Sequence, residues 1–197
     1  MTIYTAMTIY SRLIAACWLI FVVYWAAMAL GAKKNIGARF WSREIGLRVG
    51  VLVLILLALR LPVFRQAMRN ALTYAAGSSA LMGVVGVVLC ALGIGLAIWA
   101  RAYLGRNWGM PMSRKENPEL VTSGPYTYVR HPIYTGMLIA MLGSAIGVTP
   151  FWSIPLVLFG LYFVYSARKE EKLMMEQFPQ QYPAYMRRTK MLVPFIL

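Results

Sequence analysis

Three stretches of this chain run for 20 residues or more without a charged side chain: residues 13–32, 81–100 and 133–167. At about 1.5 Å of rise per residue, 20 helical residues match the roughly 30 Å hydrocarbon core of a bilayer. Only 13% of the 197 residues are charged, 60% are hydrophobic and the mean hydropathy is +0.62, whereas a soluble domain carries about 25% charge. The class is a helical integral membrane protein. The expected organisation is one membrane domain over residues 1–197, with no separate soluble domain.

The run 133–167 is 35 residues long, roughly 50 Å as a single helix, which is more than a bilayer needs. Thr149-Pro150 interrupts it, and the residue before a proline avoids helical geometry. It therefore reads as a helical hairpin of two spans, 133–148 and 151–167. A weaker span covers about 46–64, with Arg48 at its start and Arg60 near enough to its end to snorkel to an interface. The predicted fold is all-α, with five transmembrane helices at about 13–32, 46–64, 81–100, 133–148 and 151–167. The last two form the hairpin, and a cytoplasmic helix follows at the C-terminal end. The run 13–32 is too long and too aromatic for a signal peptide.

The net charge of +14 comes from 20 Lys and Arg against 6 Asp and Glu. In a soluble chain it would suggest nucleic acid. In a membrane protein topology explains it first, because basic residues collect in cytoplasmic loops against anionic headgroups, and no nucleic-acid partner is expected. Sixteen of the 20 fall between the first and second spans, between the third and fourth, or in the tail, and Arg12, Arg65 and Arg69 fall on the other side. This predicts a multi-pass protein with its C-terminus in the cytoplasm and its N-terminus outside. All six acidic residues lie on the cytoplasmic side as well, so polar chemistry is sought there, in segments 101–136 and 168–197.

The single histidine, His131, stands in Arg130-His131-Pro132-Ile133-Tyr134-Thr135-Gly136. Pro132 suits a first helical position, and the free N–H groups of a helix start can seat a carboxylate or phosphate. The alternative is that Arg130 and His131 anchor the helix among headgroups. Upstream, Leu120-Val121 is an apolar patch in a polar loop that ends at the Gly124-Pro125 turn. It suits a flat ring or simply rests on the bilayer. The tail opens with Arg168-Lys169-Glu170-Glu171-Lys172, helical by propensity and continuous with the fifth span. Arg168 can pair with Glu171 three residues on. Alternatively the adjacent carboxylates face ribose hydroxyls, or a sulfonium or ammonium ion flanked by tyrosine rings.

Cys17 and Cys90 lie in apolar runs without CxxC or metal-ligand spacing and read as packing residues. No metal site, phosphate loop or nucleophile with a second histidine is legible. Gly93-Ile94-Gly95 reads as a helix-packing position.

Residues 120–126, Arg130-His131-Pro132-Ile133-Tyr134-Thr135-Gly136, the hairpin, Glu170-Glu171, and then Phe178, Tyr182, Tyr185 and Pro194 together resemble the isoprenylcysteine carboxyl methyltransferase family. These are integral membrane enzymes related to the phospholipid N-methyltransferases. The resemblance covers about the last 80 residues. It implies S-adenosylmethionine as cofactor, held by Glu119, Leu120, Val121, Tyr126, His131, Pro132, Tyr134 and Glu170. Glu171 is the second member of the acidic pair, and Arg168 is the nearest match to an arginine that faces the acceptor. The implied reaction is methyl transfer to a lipophilic small-molecule or lipidated acceptor, a prenylcysteine-like carboxylate or an amine, with carboxyl O-methylation favoured. Two rivals stand beside it. One is an NADPH-dependent membrane sterol-type reductase, which resembles the same C-terminal pattern. The other is a non-catalytic membrane scaffold. Neither the acceptor nor the oligomeric state is legible.

Overall fold

The computed structural model describes residues 3–29, 35–36, 62, 66, 80–105, 114–115 and 119–193. Within these, five α-helices follow one another: α1 (Ile3–Ala29), α2 (Ala80–Leu104), α3 (Pro132–Gly147), α4 (Ser153–Gln177) and α5 (Tyr182–Arg188). A two-residue strand β1 (Asn35–Ile36) pairs antiparallel with β2 (Arg114–Lys115).

Among the described residues, three helices are long and apolar enough to cross a membrane: Ile9–Met28, Ala80–Leu104 and Pro150–Gln177, the last including the 3-10 turn ahead of α4. The apolar helix α3 has 16 residues, about 24 Å, short of a full hydrocarbon core. The expected second span, 46–64, lies outside the described residues. Of the five crossings expected, three are thus matched by helices of full length and one by a shorter apolar helix.

The break between α3 and α4 falls at Thr149-Pro150. Thr149 is extended, and its hydroxyl accepts from the N–H of Phe151 at 3.4 Å, capping the 3-10 turn Pro150–Trp152 that leads into α4. The start of α3 lies against the later half of α4, where Tyr134 donates to Glu170, and Leu138, further along α3, lies beside Gly160 in the earlier half, so the two helices run antiparallel. Helix α4 continues ten residues past the predicted end of its span and stops at Phe178-Pro179, where the proline disfavours helix at the residue before it.

Small residues decide how α2 meets α3. A Cβ added at Gly93 would lie 2.4 Å from the Ala140 nitrogen and 2.5 Å from the Gly136 oxygen; one at Gly86 would lie 2.4 Å from Gly147 Cα. The backbones therefore touch along most of α3, and Gly136, Ala140, Gly143 and Gly147 recur every three or four residues. This is the spacing that lets apolar helices pack without a hydrophobic driving force between them. Helix α1 packs on both: the Trp18 indole donates to the Ser144 hydroxyl at 3.0 Å and stacks on Trp152. Arg101, 1% exposed, donates to the Met28 carbonyl at 2.8 Å and the Gly105 carbonyl at 2.6 Å. It thereby ties the ends of α1 and α2 together, a cation at helix C-termini. Gly105 has φ +50, the left-handed conformation common just past a helix end.

Candidate active site

The polar residues gather where α3 begins and α4 ends. Arg130 donates from Nε to Glu171 Oε1 at 2.6 Å, with side chains only 9% and 7% exposed. Another Arg130 nitrogen, Nη1, donates to the backbone carbonyls of Met186 and Thr189. A buried ion pair recovers its desolvation cost only when the remaining donors and acceptors are also bonded, and these carbonyls supply that bonding.

His131 lies between the two carboxylates. Its Nδ1 is 3.5 Å from Glu170 Oε2 and its Nε2 is 3.5 Å from Glu171 Oε1. The 3.5 Å to Glu171 does not make a hydrogen bond, and among the described residues the buried Nε2 has no hydrogen-bond partner. The imidazole stacks on Tyr134, ring centroids 5.5 Å apart and 6° from parallel, and Tyr134 stacks on Phe163 at 4.4 Å and 3°. His131 precedes the helix start and Tyr134 sits one turn into it, which puts both rings on one face.

Glu170 is the more open carboxylate, its side chain 24% exposed. Its Oε1 accepts from the Tyr134 hydroxyl at 2.5 Å and from the Ser166 hydroxyl at 3.2 Å. Its Oε2 faces His131.

The tail returns over this cluster. The N–H groups of Arg130 and His131 donate to the Lys190 and Met191 carbonyls at 2.8 and 3.1 Å, Val129 and Lys190 form a parallel bridge, and the Thr135 hydroxyl donates to the Leu192 carbonyl at 2.6 Å. Tyr185 donates to the Tyr126 carbonyl at 2.7 Å. Burial pushes the Tyr185 hydroxyl up to about 12 and holds those of Tyr126 and Tyr182 well above the usual phenol range. All three therefore stay neutral near pH 7.

Of the residues singled out in the sequence, His131, Pro132, Tyr134, Glu170 and Glu171 come together here, and Tyr126 is buried beside them in one apolar cluster with Tyr134. Val121 packs against that cluster, while Leu120 is half-buried and Glu119 exposed. Arg168 is exposed, and Glu171 meets Arg130 instead of Arg168. One helical turn is close enough for an Arg168 pair, but α4 turns Glu171 inward toward α3 and leaves Arg168 outside. Arg130 and Ser166 are the two contributors that sequence reasoning did not assign. The adjacency of Arg130 to His131 was a usable signal; a serine within an apolar run was not.

A helix bundle with a buried cluster of charges and stacked rings at one polar end defines a helical membrane protein with a built polar site. The chain belongs to the phospholipid methyltransferase family, whose model matches residues 81–181. It is 32% identical over 116 residues to the cobalt-zinc-cadmium resistance protein of Cupriavidus metallidurans, covering 57% of this chain and 48% of that protein. It is 31% identical over 107 residues to the nickel-cobalt-cadmium resistance protein of Alcaligenes xylosoxydans xylosoxydans, covering 52% and 49%. Protein-S-isoprenylcysteine O-methyltransferase B of Arabidopsis thaliana is 34% identical over 85 residues, covering 42% and 43%. The chain thus spans about half the length of the curated relatives it matches.

Proposed function

We propose that this chain is a membrane methyltransferase that moves a methyl group from S-adenosylmethionine to a lipophilic acceptor bearing a carboxylate or an amine, with carboxyl O-methylation favoured. The observation that carries the reading is His131. Its side chain is 10% exposed, it lies between two carboxylates, and its buried Nε2 has no hydrogen-bond partner among the described residues, in a chain of the phospholipid methyltransferase family. An orphaned buried donor or acceptor is costly, and a polar ligand relieves it.

The residues present fit such a ligand. Glu170, with Oε1 held by the Tyr134 and Ser166 hydroxyls and Oε2 facing His131, suits ribose hydroxyls or a sulfonium. His131 and the start of α3 at Pro132 suit the amino-acid carboxylate. Leu120, Val121 and Tyr126 offer apolar surface for an adenine, and Glu119 and Tyr134 border it. When bound, S-adenosylmethionine supplies a methyl group already activated on sulfur. The protein's part is to exclude water, fix geometry and set the electrostatics. The stacked rings of His131, Tyr134 and Phe163 and the returning tail do the first two. Arg168, exposed beside the site, is proposed to orient a carboxylate acceptor, which needs no proton removed. An amine acceptor must lose one, and a carboxylate of the Glu170-Glu171 pair is positioned to take it.

Among the described residues no three or more His, Cys, Asp and Glu gather as metal ligands. The β1–β2 pair supports a common side for Asn35–Ile36 and Arg114–Lys115, in keeping with the cytoplasmic assignment drawn from charge. The test is binding and transfer by detergent-purified protein. S-adenosylmethionine binds and NADPH does not, and radiolabel from the cofactor enters one of three acceptor classes: prenylcysteine analogues, phosphatidylethanolamine, or small hydrophobic acids and amines. Binding of NADPH in place of S-adenosylmethionine returns the reductase reading.

A further inference from the structure

Ser166 is fully buried on the inner face of α4, one helical turn before Glu170. In an apolar membrane helix a lone hydroxyl most often bonds back to the carbonyl one turn earlier. This one donates forward to Glu170 Oε1 at 3.2 Å. The Tyr134 hydroxyl reaches the same oxygen at 2.5 Å and stands 3.4 Å from the Ser166 oxygen. By distance the Tyr134 proton belongs to Glu170, which leaves the Ser166 proton as the second donor to Oε1. Tyr134 is itself fixed, stacked between His131 and Phe163. One oxygen of Glu170 is thus gripped by two hydroxyls from two helices. The other is directed at His131 and is the one left for a ligand.

We propose that Ser166 is a positioning residue: with Tyr134 it locks the Glu170 carboxylate in the rotamer that presents Oε2 to the cofactor. The inference rests on the cofactor reading above and adds to it a residue on the far side of the carboxylate that touches no ligand. Ordering a flexible glutamate before binding removes an entropic cost that binding would otherwise carry. Charge-assisted bonds of this kind are stronger than neutral ones.

The test is a double-mutant cycle read by calorimetric binding of S-adenosylmethionine to the full-length protein in detergent. Ser166→Ala weakens binding by about three- to tenfold, the worth of one hydrogen bond. The same substitution in a Glu170→Gln background changes affinity by less than about twofold, because the carboxylate it positions is gone. Tyr134→Phe, which keeps the ring stack, follows the same pattern and serves if Ser166→Ala lowers the yield of folded protein. Wild-type affinity in Ser166→Ala and Tyr134→Phe overturns the proposal. So does an equal loss in both backgrounds, which marks general packing. Wild-type protein that does not bind S-adenosylmethionine fails at the earlier step, where the cofactor reading itself falls and this inference falls with it.

Discussion

Arg130 and Glu171 stand 41 positions apart in sequence and meet at 2.6 Å with both side chains more than nine-tenths buried. The pair joins the start of α3 to the end of α4, and Arg130 carries the connection on to the tail through the Met186 and Thr189 carbonyls. Removing one member of a buried pair strands the other charge, which costs about 3 to 5 kcal/mol. Arg130→Met is therefore expected to lower the thermal unfolding midpoint sharply in detergent. Glu171→Met added to it restores part of the loss. Equal stability of Arg130→Met and wild type would show that the pair is not held as described.

The α2–α3 contact predicts opposite outcomes for two glycines in one helix. Gly93→Ala forces a methyl group against the Ala140 nitrogen at 2.4 Å, whereas a Cβ at Gly95 meets nothing within 4 Å. Gly93→Ala is expected to reduce folded, monodisperse protein on size-exclusion chromatography. Gly95→Ala is expected to be neutral or to stabilise by about 0.5 to 1 kcal/mol, the helix-propensity gain. The reverse ranking would contradict the packing.

Tyr185 gives a prediction in pH. Burial raises its hydroxyl to about 12, so its stabilising contribution is fully present below the unfolded value near 10 and is lost as pH rises through about 12. Tyr185→Phe removes the bond to the Tyr126 carbonyl and is expected to cost about 1 kcal/mol, by the same amount at any pH from neutral to about 9. A cost that grows across that range would mean that the hydroxyl ionises in the folded protein below its unfolded value, contrary to its burial.

Sixteen basic residues against three predict a cytoplasmic C-terminus. A cysteine added after Leu197 should react with a membrane-impermeant maleimide only after cell lysis. Reaction in intact cells would invert the topology.

Much of the fold was legible because it depends on local chemistry. Uncharged runs of bilayer length gave α1, α2 and α4, and Thr149-Pro150 marked the break between α3 and α4. The motif residues His131, Tyr134, Glu170 and Glu171 were legible as chemistry, and the resemblance joined them. What the sequence did not disclose is pairing set by docking. Arg168 and Arg130 are equivalent cations on paper, and only the rotation of α4 about its own axis turns Glu171 toward α3. The tail is similar: Lys190 and Met191 pair through backbone atoms, which no side-chain pattern records. Ser166 was invisible for another reason, since a small hydroxyl is unremarkable in a membrane helix until its partner is known.

The most direct test of the account is methyl transfer from radiolabelled S-adenosylmethionine into a lipid-extractable product by purified, reconstituted protein, comparing wild type with Glu170→Gln. Wild type is expected to transfer label. Glu170→Gln is expected to bind the cofactor about ten- to a hundredfold more weakly, the worth of a charge-assisted hydrogen bond of about 1.5 to 3 kcal/mol, and to lose transfer at limiting cofactor in proportion. Equal transfer and equal affinity in the two proteins would contradict the placement of the site at this cluster.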